Sequence, residues 1–259
     1  SRKGDDDMQE SGHIFLARMG KTKLRPGGID ATNWLLDRAN IQSNSQILEV
    51  ACNMSMTMIQ IAKTYGCQVI GIDLDEAALE KARENIRKNH LEDKLSVRYG
   101  NAFDLPFGDA SFDIVVNEAM LTMLVGKDKD RALAEYARVL KPGGILLTHD
   151  VLLQEDSPKA QQEILAGLSR AIHAHVEPLT LKGWQEMIES HGFRTEQKYG
   201  KITLLDPIGM LRDEGVDGTL QIMTNAIKKE NRQMFSGMFD FFNEHAAQLG
   251  YVANYSVKL

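Results

Sequence analysis

Polar residues follow four apolar runs of this chain, and each run has a length that suits a buried strand. Glu49 to Ser55 follow the first run, and Asp73 closes the second. Asn101-Ala102-Phe103 follow the third, and Asn117-Glu118-Ala119 follow the fourth. In an open parallel sheet, ligands bind beyond the carboxyl ends of the strands, where the strand order reverses. The four segments therefore predict a single cleft for a small molecule.

Asp73 has the residue type and the position of a ribose ligand. Its distance from the first loop is the one at which nucleotide-binding folds place an acidic residue. A carboxylate can accept hydrogen bonds from both hydroxyls of a ribose, which explains the residue type. A surface carboxylate without a ligand is the alternative. We favour the ribose site because Asp73 closes a predicted strand.

Two other residues of the predicted cleft are candidates for proton transfer. Glu118 could act as a base or a substrate anchor, or it could be a solvated residue at a helix start. His149 and Asp150 follow the fifth apolar run and are expected at the rim of the same cleft. Histidine is the usual proton acceptor near neutral pH, but a histidine beside an aspartate is often only part of a hydrogen-bonded structure. Both interpretations of each residue stay open.

Alternating strands and helices between residues 47 and 148 must position these segments. The predicted strands are Ile47–Val50, Gln68–Ile72, Leu95–Tyr99, Phe112–Val116 and Ile145–Thr148, and the helices are Met56–Tyr65, Glu76–Asn89 and about Asp128–Leu140. Lys141-Pro142-Gly143-Gly144 ends the last helix, because proline lacks a donor and glycine admits a positive φ. This alternation predicts βαβ units and a parallel sheet that is covered on both faces.

The flanking segments are mostly helical. We treat residues 1–40 as an N-terminal helical segment, with helices near Ser11–Gly20 and Asp30–Ala39 and with Ser1–Asp7 as a candidate for disorder. Residues 41–259 form the main domain, in which 206–249 are a helical insertion or cap between the last two strands. Those strands are predicted at Phe193–Leu205, with a break at Gly200, and at Tyr251–Lys258. An apolar face in the cap suits core packing, with a substrate lid or a dimer interface as alternatives; it comprises Met234, Phe235, Met238, Phe239, Phe241 and Phe242.

Composition narrows the function classes. The formal net charge is -6 and no block of basic residues occurs, so we expect a small-molecule substrate and no nucleic-acid partner. Two cysteines, Cys52 and Cys67, predict neither a disulfide framework nor a metal site, and Cys52 suits a small buried side chain better than a nucleophile. No apolar run approaches the ~20 residues of a membrane span. We expect a cytoplasmic protein, and a homodimer stays open.

The ordered motifs resemble the UbiE/MenG-like class I S-adenosylmethionine-dependent methyltransferases. The resemblance covers Ile47 to Thr148 and rests on Gly71-Ile72-Asp73, the segment from Asn101 to Phe107, Ser111 to Val115, and Arg138 to Gly144. It implies a Rossmann-like α/β sheet of seven strands, mostly parallel with the last strand antiparallel. It also implies S-adenosylmethionine as the cofactor.

The resemblance further implies roles for single residues. The turn Ala51–Ser55, which holds Ala51 and Asn53, would lie against the methionine part of the cofactor, and the acidic Glu49 would also bind the cofactor. Asp73 would bind the ribose, and Leu74 would pack on the adenine. Asn101, with the backbone of Ala102 and Phe103, would face the adenine amino group, and Asn117 would lie near the amine and the sulfonium; a turn-capping role for Asn101 is the alternative. Gly28 belongs to a stretch, Arg25 to Gly28, that closes over the cofactor in some relatives.

The loop after the first strand departs from the family pattern. Ala51, Asn53 and Ser55 stand where the family usually has glycines, which reach positive φ and admit the ligand. Asparagine tolerates the left-handed region, and alanine and serine are small. We therefore expect S-adenosylmethionine-dependent methyl transfer to a small molecule. The alternatives are a non-catalytic binding protein on a degenerate methyltransferase scaffold and a nicotinamide-dependent dehydrogenase, whose Gly-x-Gly-x-x-Gly motif is missing here.

Overall fold

The fold is taken from a computed structural model that describes residues 10–259, so the prediction for Ser1–Asp7 lies outside the described residues. The helices are α1 (Gly12–Met19), α2 (Gly28–Arg38), α3 (Met56–Tyr65), α4 (Glu76–Lys88), α5 (Asp128–Val139), α6 (Pro158–Ile172), α7 (Leu181–Glu189), α8 (Pro207–Ala226) and α9 (Lys229–Glu244). The strands are β1 (Gln46–Val50), β2 (Gln68–Asp73), β3 (Leu95–Tyr99), β4 (Phe112–Glu118), β5 (Leu140–Leu153), β6 (Phe193–Lys201) and β7 (Leu249–Lys258).

Seven strands form one sheet in the order β3-β2-β1-β4-β5-β7-β6. The neighbours from β3 to β5 pair in parallel, and β7 pairs antiparallel with both β5 and β6. The predicted mostly parallel sheet with an antiparallel last strand is confirmed. The chain order reverses between β1 and β4, which is the switch point where open α/β sheets bind ligands.

Helices cover both faces of the sheet, which explains why β1 is almost entirely apolar. Successive side chains of a strand point to opposite faces. Ile47 packs with α2, α3 and α4 on one face, whereas Leu48 packs with α5 and α7 on the other. The centre of β1 is thus fixed between two hydrophobic layers, and this holds the loop after Val50 at the switch point.

Two strands extend further than the sequence pattern predicts. β4 continues to Glu118 and β5 to Leu153, so the predicted ends at Val116 and Thr148 are wrong. β5 continues because it pairs with β7 from Ile145 to Leu153, a partner almost a hundred residues later in the chain. The predicted break in β6 is also wrong, because Gly200 stays in the ladder opposite Tyr251.

A helical cap lies between β6 and β7. It consists of α8 and α9, and α8 is interrupted at Gly215, whose φ of 71° and ψ of -177° are not helical. The cap packs on α1 through a separate hydrophobic cluster that contains Phe15, Leu16 and Phe235. In the described part of the chain, no helix is long and apolar enough to cross a membrane.

Candidate active site

A cavity of about 350 Å³ opens beside the carboxyl ends of β1, β2 and β4. One part of its wall is polar and carries Arg25, Glu49, Asn53, Asp73 and Glu118. Another part is apolar; it carries Leu16, Val151, Leu168, Ile172, Ile202, Leu204, Met238 and Phe242. The cavity can therefore accept a ligand with charged groups at one end and an apolar ligand, or apolar part, at the other.

The loop after β1 follows a left-handed path although it lacks glycine. Ala51, Asn53 and Ser55 have φ values of 56°, 49° and 70°. The Cys52 N–H donates to the carbonyl of Ile72 at 3.0 Å, which ties the loop to β2. Glycine adopts this region without strain, whereas alanine and serine are disfavoured there. The loop thus keeps the backbone course expected of a glycine-rich turn, at a cost in strain.

Asp73 is oriented by the backbone on both sides. Its Oδ2 accepts from the Asn53 N–H at 2.9 Å, and its Oδ1 accepts from the Asp75 N–H at 3.0 Å. Each carboxylate oxygen can accept more than one hydrogen bond. The side chain lines the cavity and is half-buried. It can therefore accept hydrogen bonds from a ligand without first losing its present ones.

Two buried polar atoms on residues of the cavity wall have no partner. They are Oε2 of Glu49 and Nη2 of Arg25. Burial, together with the neighbouring Glu118 carboxylate, raises the pKa of Glu49 well above its ordinary value. An unpartnered buried group is costly, and such groups in a cleft point to a missing ligand. A carboxyl oxygen and a guanidinium nitrogen suit the ammonium and the carboxylate of an amino-acid group.

Glu118 is saturated by four donors. Its Oε1 accepts from the Arg25 guanidinium at 3.0 Å and from the Thr57 hydroxyl at 2.7 Å. Its Oε2 accepts from the Thr32 hydroxyl at 2.6 Å and contacts Nδ1 of His149 at 3.0 Å. Burial pushes the pKa of Glu118 upward, but Arg25, His149 and Thr32 outweigh burial and hold it well below the ordinary value. A carboxylate held in its charged form by four donors is a weak base.

Comparison with known proteins agrees with this geometry. A family model described as a methyltransferase domain matches residues 48–148. An uncharacterized protein of Haemophilus influenzae is 51% identical over 250 residues, which cover 96% of this chain and 98% of that protein. The 27-O-demethylrifamycin SV methyltransferase of Amycolatopsis mediterranei is 26% identical over 227 residues, or 86% of this chain and 82% of that enzyme. A solved geranyl diphosphate methyltransferase in complex with SAM superposes with a TM-score of 0.66 at 15% identity, covering 89% of this chain and 85% of that one.

The chain belongs to the class I S-adenosylmethionine-dependent methyltransferases. The matched region runs from within β1 to within β5 and contains most of the polar wall of the cavity. The match supports methyl transfer as the class of reaction, and S-adenosylmethionine is the cofactor of the family.

His149 of this methyltransferase lies inside β5 and is fully buried, so its predicted place at the rim is wrong. Its Nε2 accepts from the Gly27 N–H at 2.8 Å, which assigns the ring proton to Nδ1 and makes Nδ1 the donor to Glu118. Burial lowers the pKa of His149, so the ring is neutral near pH 7. Both nitrogens are occupied and the residue does not line the cavity, so it joins β5 to the segment before α2.

Other predicted ligands lie away from the cavity wall. Asn117 is fully buried; its Nδ2 donates to the carbonyl of Val50 at 3.0 Å, and its Oδ1 accepts from the Tyr136 hydroxyl at 2.8 Å. It joins β4 to β1 and α5 through both polar atoms of its side chain, and it does not line the cavity. Asn101 is exposed, and its Oδ1 accepts from the Phe103 N–H at 2.9 Å, which is the turn-capping geometry.

The structure thus gathers part of the predicted site. Glu49, Ala51, Asn53, Asp73 and Glu118 line the cavity. Residues that do not line it are Gly28, Leu74, Asn101, Ala102, Phe103, Asn117 and His149. Arg25 and Thr57 also line the cavity. The sequence indicated Arg25 only through the stretch from Arg25 to Gly28, which closes over the cofactor in some relatives, and it gave no indication of Thr57.

Cysteine chemistry and a metal centre find no support in the described part of the chain. Cys52 is buried, and burial raises the pKa of its thiol far above the ordinary value, so the nucleophilic thiolate is scarce. Between residues 10 and 259 no group of three or more His, Cys, Asp or Glu is arranged to hold a metal ion.

Proposed function

We propose that this methyltransferase transfers the sulfonium methyl group of S-adenosylmethionine to a small, largely apolar molecule. The observation that supports the proposal most is that one cavity has both a polar wall at β1, β2 and β4 and an apolar wall beneath the cap. Its volume of about 350 Å³ lies in the range of small-molecule sites. The charged cofactor would take the polar end and the acceptor the apolar end.

The polar residues present fit the cofactor. In this proposal Glu49 and Arg25 hold the ammonium and the carboxylate of the methionyl group, because each has an unpartnered buried atom. Asp73 accepts from the ribose hydroxyls. Leu74 and Asn101 follow the neighbouring strands β2 and β3 and are both exposed, so they are available to an adenine outside the cavity wall.

When bound, the cofactor supplies a methyl group that a nucleophile of the acceptor takes in an in-line displacement. The chain aligns the two ligands and excludes water. Val151 and Leu168, on the sheet and on α6, desolvate the acceptor from one side, while Met238 and Phe242 of α9 cover it from the cap. Glu118 and His149 position Arg25 and the neighbouring backbone, so neither serves as the general base in this proposal.

Calorimetry with S-adenosylmethionine and S-adenosylhomocysteine tests the proposal. We expect both to bind, and we expect Asp73→Asn to weaken binding at least tenfold, which is about 1.4 kcal/mol. Glu80→Gln is the matched control, because Glu80 is an exposed acid on α4 that lies outside the cavity wall. Failure of the wild-type chain to bind either compound at millimolar concentration would refute the proposal.

A non-catalytic binding protein is the second candidate function, because three residues other than glycine have positive φ in the loop after β1. If these residues exclude the cofactor, binding will appear only after glycine is restored at Ala51, Asn53 and Ser55. The absence of a nucleic-acid partner, a cytoplasmic location and a domain boundary after residue 40 stay predictions, and a homodimer stays an open alternative.

A further inference from the structure

Two neighbouring carboxylates of α8 hold the backbone between α1 and the first turn of α2, here called the connecting segment (residues 21–29). Glu214 Oε1 accepts from the N–H groups of Thr22 and Lys23, each at 2.9 Å, and its Oε2 accepts from the Thr22 hydroxyl at 2.7 Å. Asp213 Oδ1 accepts from the Ile29 N–H at 2.9 Å. One turn of the cap thus binds both ends of the connecting segment.

A buried lysine completes this contact. The side chain of Lys21 is 0% exposed, and its Nζ lies 3.4 Å from Asp213 Oδ2 and 3.3 Å from Glu214 Oε1. The two carboxylates are 2% and 3% exposed. Removing one partner of a buried ion pair leaves an uncompensated charge, so the three side chains depend on one another.

The backbone on both sides is shaped for this contact. Gly215 interrupts α8 directly after Glu214, so both carboxylates stand at the C-terminal end of a helical stretch, where the helix dipole disfavours negative charge. The donors of the connecting segment offset that cost. Gly28 has a φ of +57°, and a Cβ on it would lie 2.5 Å from both oxygens of Asp213. The close approach therefore requires glycine at this position.

Between its two bound ends the connecting segment carries Arg25, whose guanidinium reaches Thr57 and Glu118 in the polar wall of the cavity. We propose that Asp213 and Glu214 are positioning residues of the cofactor site, which hold the connecting segment against the cap and thereby place Arg25. This inference rests on the proposed function, since Arg25 is there assigned to the carboxylate of the cofactor. The cap then belongs to the cofactor site as well as to the acceptor site.

The test compares Glu214→Ala with Asp217→Ala, since Asp217 is an exposed acid of the same helix that makes no ion pair in the described chain. Amide hydrogen exchange without ligand is expected to be at least tenfold faster at Thr22 and Lys23 in Glu214→Ala. The dissociation constant for S-adenosylhomocysteine is expected to rise at least tenfold in the same variant. Asp217→Ala should change neither quantity.

A double-mutant cycle with Arg25→Ala tests whether Glu214 acts through Arg25. If it does, the double variant will bind S-adenosylhomocysteine less than twofold more weakly than Arg25→Ala alone. Full additivity of the two losses would overturn the positioning role, and so would unchanged amide exchange in Glu214→Ala.

Gly28→Ala supplies a second perturbation in case Glu214→Ala does not fold. Its control is Gly126→Ala, since Gly126 has a similar φ of +56° but a Cβ there would meet nothing within 4 Å. If amide exchange over residues 21–29 is faster in Gly28→Ala but not in Gly126→Ala, the result supports the contact. If the exchange rates of the two variants are equal, the result contradicts it. If the wild-type chain binds neither cofactor compound, the proposed function and the role of Arg25 fail together, while amide exchange still decides whether the carboxylates hold the connecting segment.

Discussion

Asp150 is a carboxylic acid near the C-terminal end of β5 with no access to solvent. Its Oδ1 accepts from the N–H and the hydroxyl of Thr122, at 2.9 Å and 2.8 Å, whereas its Oδ2 has no partner. Burial raises the pKa of Asp150 to about 7, although the Thr122 donors and Lys129 oppose it. The folded protein therefore keeps this group protonated at pH values where the unfolded chain has already lost the proton.

This difference makes stability depend on pH. Between the ordinary pKa of an aspartate, near 4, and the raised pKa, near 7, the folded state binds one more proton than the unfolded state, so stability falls as pH rises. We expect Asp150→Asn to remove this contribution. As pH rises across that window, the free energy of unfolding of the variant should increase relative to that of the wild type by about 1.4 kcal/mol per pH unit. Urea unfolding at pH 5, 6, 7 and 8 measures it. A difference between the two proteins that does not change with pH would contradict the assignment.

Glu118 and His149 show how hydrogen bonding withdraws a residue from acid–base chemistry. Glu118 has the residue type of a base, but four donors hold it ionised. His149 has the residue type of a proton acceptor, but Gly27 and Glu118 occupy both its nitrogens, and burial lowers its pKa. The two residues instead connect β4 and β5 to the connecting segment, and this makes them part of the support of Arg25.

At the scale of elements, the loop from β1 to α3 carries the main departure from its family. A residue other than glycine in the left-handed region destabilises the fold by roughly 1–2 kcal/mol. The destabilisation is smaller for asparagine than for alanine, because asparagine tolerates this region better. Ala51 and Asn53 have similar positive φ angles, 56° and 49°. They therefore form a matched pair for measuring the strain.

We expect Ala51→Gly to raise the free energy of unfolding by about 1 kcal/mol, because relief of left-handed strain exceeds the added entropy of the unfolded chain. Asn53→Gly should change it by a few tenths of a kcal/mol at most. Urea unfolding of the two single variants measures both. Destabilisation by Ala51→Gly would show that its methyl group packs usefully, and the strain account would then be wrong.

The same loop separates the two candidate functions. If the natural loop binds the cofactor, the variant with glycine at Ala51, Asn53 and Ser55 should have a dissociation constant within about tenfold of that of the wild type. A degenerate site predicts binding in that variant alone.

At the scale of the whole molecule, sheet and cap share one cavity. The polar wall comes from β1, β2 and β4, while Leu16 of α1 and Met238 of α9 close the apolar part. Lys21, Asp213 and Glu214 then tie α8 to the connecting segment. A ligand in the cavity therefore contacts elements that are more than two hundred residues apart in the chain.

This arrangement predicts ligand protection that extends beyond the cofactor loop. S-adenosylhomocysteine at one hundred times its dissociation constant should stabilise the fold by about 2.7 kcal/mol. Amide exchange should slow in α1 and in the loop from Ala51 to Ser55, while α7, which adds no residue to the cavity wall, should change only with global stability. Protection of the loop without protection of α1 would show that α1 does not cover the ligand.

The sequence by itself determined the sheet and the place of the candidate cofactor site. The apolar runs around Leu48 and Ile70 predict buried parallel strands, and Asp73 and the loop from Glu49 to Ser55 lie at strand ends as expected. These features depend on short-range periodicity and on motif order, which a sequence displays directly.

Only the tertiary structure decided which polar groups face the cavity. Arg25 meets Glu118 across 93 residues, and Lys21 meets Asp213 across 192. Asn117 and His149 have residue types suited to ligand contact, but β1, α5 and the backbone before α2 use up their hydrogen bonds. The extension of β5 to Leu153 likewise depends on β7, because strand length follows from the partner strand. Such contacts form between distant segments, so the local pattern around each residue carries no record of them.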